Sequence, residues 1–138
     1  MVKRIACAVL MAVLVGGCGT WEVERLVPVS KLSCIKVADV TASSPAAAEI
    51  IKEQLKAELQ KKGLNVTDDC EYKIVVLWDS LGSSEVTTVN SRVKLSDNKK
   101  TLIVWTYYWD SAWDISVKRS SPIDFSRLMA REIAKEVK

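Results

Sequence analysis

Residues 93–109, VKLSDNKKTLIVWTYYW, decide how this chain folds and which of its surfaces is left bare. Two runs rich in β-branched, aliphatic and aromatic residues flank the short polar stretch Asp97 to Lys100, which predicts a β-hairpin. A loop of two or four residues pairs Leu95 with Leu102, Val93 with Val104, Ser91 with Thr106 and Val89 with Tyr108, and these pairs give an apolar face for a core. The opposite face then pairs Lys94 with Ile103, Arg92 with Trp105, Asn90 with Tyr107 and Thr88 with Trp109. This is an aromatic ladder beside polar residues, with Arg92 over Trp105 as a cation–π pair. A shift of one residue exchanges the faces. In the first register Arg92, Trp105, Tyr107 and Trp109 are a partner-binding surface; in the second, or beneath residues 19–32, the aromatics are core.

Working outward, Tyr72 to Leu81 and Val86 to Leu95 read as strands joined across Gly82-Ser83-Ser84. Upstream, Ser44-Pro45 is an N-cap followed by proline at the first helical position. Ala47, Ile50, Ile51, Leu55 and Leu59 recur at helical spacing, and Gly63 supplies a left-handed C-cap. Ser33 to Val40 alternates as a further strand. Near the C-terminus, Ser121-Pro122-Ile123-Asp124 resembles a capping box, and Phe125, Leu128, Met129, Ile133 and Val137 form one apolar stripe. The order β-α-β-β-β-α predicts an α+β domain over residues 33–138: a four-stranded mixed sheet with two helices on one face. A right-handed crossover makes its first two strands parallel.

The N-terminus reads as an address. Lys3 and Arg4 precede the apolar run Ile5 to Val15, which has signal-peptide length and is too short to span a bilayer. Val15-Gly16-Gly17-Cys18 resembles a bacterial lipobox, which implies a signal peptide over 1–17 and diacylglycerol and palmitate attachment at Cys18. Residues 18–32 then form the lipidated N-terminus and a tether. Gly19 is not the aspartate associated with inner-membrane retention, so the expected address is the outer membrane, facing the periplasm of a Gram-negative cell. In that oxidising space Cys34 and Cys70 remain as an even pair, expected to form a disulfide, the alternative being two separate buried thiols.

Composition narrows the function. The 138 residues include no histidine, which removes histidine-based acid–base and nucleophilic catalysis and histidine metal sites. Of 20 lysines and arginines, Lys3 and Arg4 leave with the signal, so 18 face 17 acids and the remaining chain is near neutral. A nucleic-acid interface lacks its basic surplus. Asp68, Asp69 and Glu71 lack calcium-loop spacing, and no metal or other cofactor is expected. Asp110 and Asp114 are the remaining carboxylate candidates for catalysis, and a two-helix domain of this size offers little material for the cleft they would need, so no enzymatic activity is expected.

Together, the lipobox, the helix ending at Gly63, the Glu71-Tyr72 strand start and the hairpin Val93-Lys94-Leu95-Ser96-Asp97 to Leu102-Ile103-Val104-Trp105 resemble small envelope lipoproteins of the LptE, TolB N-terminal and CsgG-like kind. The resemblance implies a non-catalytic assembly or transport accessory that docks on an envelope protein complex. The other reading is a lipoprotein that binds cell-wall or surface polysaccharide, with tryptophan faces stacked on sugar rings.

Overall fold

The computed structural model describes residues 2–5, 18–82, 87–110 and 122–138. Along the chain run β1 (Val2–Ile5), β2 (Cys18–Arg25), β3 (Lys36–Thr41), α1 (Pro45–Lys61), β4 (Lys73–Gly82), β5 (Thr87–Ser96), β6 (Thr101–Asp110) and α2 (Pro122–Val137). The strands form one sheet in the order β1-β2-β6-β5-β4-β3. The four strands expected from the sequence are β3 to β6, with β3 and β4 parallel and the other two pairings antiparallel. Residues 18–25, expected as part of a tether, instead form β2 and pair with most of β6. Alternation of Trp21 and Val23 with Glu22 and Glu24 is the physical reason, since it gives the segment one face fit for burial.

Helix α1 begins and ends where its chemistry dictates. Ser44 Oγ accepts a hydrogen bond from the Ala47 amide at 3.1 Å, satisfying one of the free N–H groups of the first turn of α1. After α1, Gly63 takes φ +87°, and the Leu64 amide donates back to the Leu59 carbonyl. The expected cap Ser121 lies outside the described residues.

The core lies between the two helices and one face of the sheet. Ile51, Leu55 and Leu59 of α1 and Phe125, Met129, Ile133 and Val137 of α2 are fully buried. Beneath them cross-strand rows align: Val37, Ile74, Leu95 and Ile103 form one row, and Val76, Val93, Trp105 and Val23 the next. A bidentate ion pair adds a tie between sheet and helix, with Arg25 at the end of β2 donating to Glu136 on α2 (Nη2 to Oε2, 2.7 Å). Half-exposed on the Arg25 side, it stabilises by no more than about 1 kcal/mol.

Cys34 and Cys70 are joined as a disulfide with a Cα separation of 5.9 Å, at the starts of the two parallel strands. It closes a loop with a sequence separation of 36, which in the chain-entropy view is worth roughly 3–4 kcal/mol. Reduction is therefore expected to lower the unfolding free energy by that amount, measured by chemical denaturation with and without reductant; an unchanged midpoint would contradict the assignment. At the hairpin turn, Asp97 Oδ1 accepts from the amides of Lys99 (2.8 Å) and Lys100 (2.9 Å), which holds this carboxyl below the usual carboxylate range. A depressed folded pKa gives stability above the unfolded value that is lost as pH falls through the folded one. Asp97→Asn should accordingly flatten the acid side of the stability–pH curve in denaturant melts, and an acid limb identical to wild type would contradict this role for the turn.

Candidate functional site: the open face of the sheet

Register sets what each face of the sheet carries. At the turn Ser96 pairs with Thr101, the register expected from the sequence, but Leu95 pairs with Ile103, so Leu102 is an extra residue in β6. This bulge moves every later pair by one: Val93 lies opposite Trp105, Ser91 opposite Tyr107 and Arg92 opposite Thr106. The expected aromatic partner surface is thereby corrected. Trp105 and Tyr107 are buried at 1% and 3% exposure, and the Tyr107 ring lies 4.5 Å from that of Trp21. Arg92 is on the opposite face and faces no tryptophan across the strand. Trp109 pairs in the backbone with Gly19 and Val89, but its side chain lies outside the described residues.

Magnitudes explain the choice of face. Burying a tryptophan removes about 150–250 Å² from water, worth roughly 4–6 kcal/mol at 25 cal/mol per Å². Against it, Trp105 Nε1 is buried without a hydrogen-bond partner among the described residues, at about 1–3 kcal/mol; Trp78 Nε1 and Ser91 Oγ, also without one, belong to β4 and β5, whose faces the bulge does not change. Burial of the rings wins. Ser91 lies on the buried face in either register, because it alternates with Val93 and Leu95 along β5.

The face turned away from the helices is the surface left for contact. Its rows set Glu22, Thr106, Arg92 and Leu77 side by side, then Glu24, Val104, Lys94 and Val75. Leu77 is 54% exposed and Tyr108 42%, so apolar groups stand among charges of both signs. A shallow depression of about 340 Å³ between Leu77, Asp79, Asn90, Arg92 and Thr106 marks its middle. No cluster of metal-ligating side chains occurs among the described residues. Such a surface is suited to docking on another macromolecule. Sequence reasoning missed Leu77, Thr106 and Tyr108; alternation along β4 and β6 assigns them together once the bulge is known.

Cys18 opens β2 in register with Asp110. Its side chain lies outside the described residues. A second depression, about 360 Å³, sits at the far end of the sheet between residues 27–33, Tyr72 and Lys100.

The two faces are expected to respond differently to truncation. Trp105→Ala should cost about 3–5 kcal/mol, whereas Arg92→Ala and Leu77→Ser should stay within about 1 kcal/mol of wild type in denaturant melts. A Trp105→Ala protein as stable as wild type would return the ladder to the surface.

No family model matches the chain, and no curated protein matches it. Solved structures do share its fold. A PelC dodecamer from Paraburkholderia phytofirmans superposes with TM-score 0.55 at 12% identity, over 87% of this chain and 99% of that one. A single-residue variant of that PelC dodecamer gives 0.55 at 14% identity over the same shares. An uncharacterized protein gives 0.54 at 11%, covering 81% of this chain and 100% of its own. At these identities the likeness is one of fold.

Proposed function

We propose that the protein is a non-catalytic lipoprotein, anchored through Cys18 in the outer membrane and facing the periplasm, which associates with copies of itself and docks through its open sheet face on an envelope protein complex as an assembly or transport accessory. The observation that carries this reading is the position of Cys18. It is the first residue of β2, so an acylated Cys18 joins the lipid to the sheet itself with no spacer. Anchored in this way, the ends of β2 and β6 stand at the membrane, and the eight residues of β2 rise about 26 Å from it. The open face with Arg92, Leu77 and Tyr108 is then held upright beside the bilayer.

Mixed polarity on that face favours a protein partner. A glycan platform needs several exposed flat rings, and among the described residues Trp21, Trp78 and Trp105 are buried and the open face presents the ring of Tyr108. Self-association is supported by the dodecamers formed by the PelC proteins of the same fold. In the processed protein β1 is absent, because Val2–Ile5 belong to the segment cleaved before Cys18.

Two measurements test the proposal. A fatty-acid probe should label the wild-type protein and not Cys18→Ser; an unlabelled wild type would overturn the anchor. A photo-crosslinking residue at position 92 should capture an identifiable envelope protein in intact cells, and Thr106→Arg should abolish that crosslink. Binding to isolated cell-wall polysaccharide in its place would favour the glycan reading.

A further inference from the structure

On the open face the charges are sorted by strand. β2 carries Glu22 and Glu24, β5 carries Arg92 and Lys94, and β6 between them carries Val104, Thr106 and Tyr108. In register, Glu22, Thr106 and Arg92 form one row and Glu24, Val104 and Lys94 the next. An acidic lane and a basic lane thus flank an uncharged strip, and none of these four charged residues forms an ion pair among the described residues. Other charges of the sheet stand outside the lanes: Lys73 and Asp79 on β4, Lys36 and Asp39 on the outer strand β3, and Lys3 on β1, which belongs to the segment cleaved before Cys18.

The dimensions of the lanes select what fits between them. Neighbouring strands are about 4.8 Å apart, so lanes two strands apart lie roughly 10 Å from each other, close to the diameter of an α-helix. Within each lane the like charges are two strand residues apart, about 6.7 Å, and a helix repeats its side chains at i and i+4 about every 6 Å. An extended strand turns only one row of side chains to the sheet and cannot serve both lanes. An anionic glycan answers the basic lane and offers nothing to Glu22 and Glu24. Val104 and Tyr108 in the strip, with Leu77 beside Arg92, supply apolar contact. Surface ion pairs add little affinity, but two lanes of opposite sign fix the direction and rotation of what lies on them. Helices already cover the other face, and a sheet between two helical layers is a stable architecture.

We infer that the partner docks an amphipathic α-helix along β6, with acids at i and i+4 against Arg92 and Lys94, cations on its other flank against Glu22 and Glu24, and aliphatic side chains over Val104 and Thr106. This rests on the reading that the open face docks on an envelope protein, and it names the element that docks.

The test uses the full-length protein in intact cells, with a photo-crosslinking residue at position 104 or 108 and the crosslinked partner residues mapped by mass spectrometry. These positions are about 13 Å apart along β6, so a docked helix should be captured at residues about nine apart in the partner, and an extended segment at residues about four apart. Arg92→Glu/Lys94→Glu and Glu22→Lys/Glu24→Lys should each lower capture several-fold, and replacing the mapped acids of the partner by lysine should restore capture by the first variant. Retention of the Cys34–Cys70 disulfide by intact mass checks the fold of each variant. Capture of an envelope protein at a spacing of about four, or undiminished capture by both lane variants, would overturn the helix and leave docking standing. Failure to capture any envelope protein, with or without crosslinks to polysaccharide, would overturn both.

Discussion

One extra residue in a hairpin, Leu102, governs which side of β6 joins the core. Without it, Trp105 and Tyr107 would face away from the helices beside Arg92 and Asn90; with it, they turn to the helix side, where the Tyr107 ring lies near that of Phe125. Side chains alternate along a strand, so an insertion of one cannot be absorbed locally and reverses every residue beyond it. Leu102 is itself well placed. It is buried, and its carbonyl accepts from the amides of Leu26 and Val27, which stitches the bulge to the chain leaving β2. The preference for burying the indole and phenol rings, several kcal/mol against the cost of the orphaned Trp105 indole N–H, keeps the bulge in place.

From that constraint follow the surfaces that remain. The helices cover one face, so the face left open is the mixed one around Arg92 and Leu77. Cys18 heads the strand at one edge, which couples the proposed anchor directly to the sheet. The disulfide fixes the opposite edge, where β3 and β4 begin. The proposed anchor and the proposed docking face thus belong to one sheet.

Much of this architecture is legible in the sequence because local chemistry determines it. Ser44-Pro45 and Gly63 bound α1, the stripe from Phe125 to Val137 gives α2, and the right-handed crossover rule makes β3 and β4 parallel, which brings Cys34 and Cys70 together. The residues that escape such a reading are those whose state depends on distant parts of the chain. Asp97 to Lys100 announces a turn, yet nothing local to it distinguishes Leu102 as an insertion. Residues 18–25 alternate over only four positions, Trp21 to Glu24, too short a run to announce a strand without the edge that β6 offers, where Trp21 and Val23 pack beside Tyr107 and Trp105. Composition alone therefore points to the aromatic face as the contact surface, where it is richest, rather than to the plainer face opposite.

The most direct measurement of this register is the cross-strand pattern of backbone nuclear Overhauser effects in the labelled protein. Contacts that set Val93 opposite Trp105 and Ser91 opposite Tyr107, with Ser96 still opposite Thr101, are the expected result. Contacts that set Val93 opposite Val104 and Ser91 opposite Thr106 would contradict it, returning the aromatic ladder to the open face beside Arg92 and turning Val104, Thr106 and Tyr108 to the core.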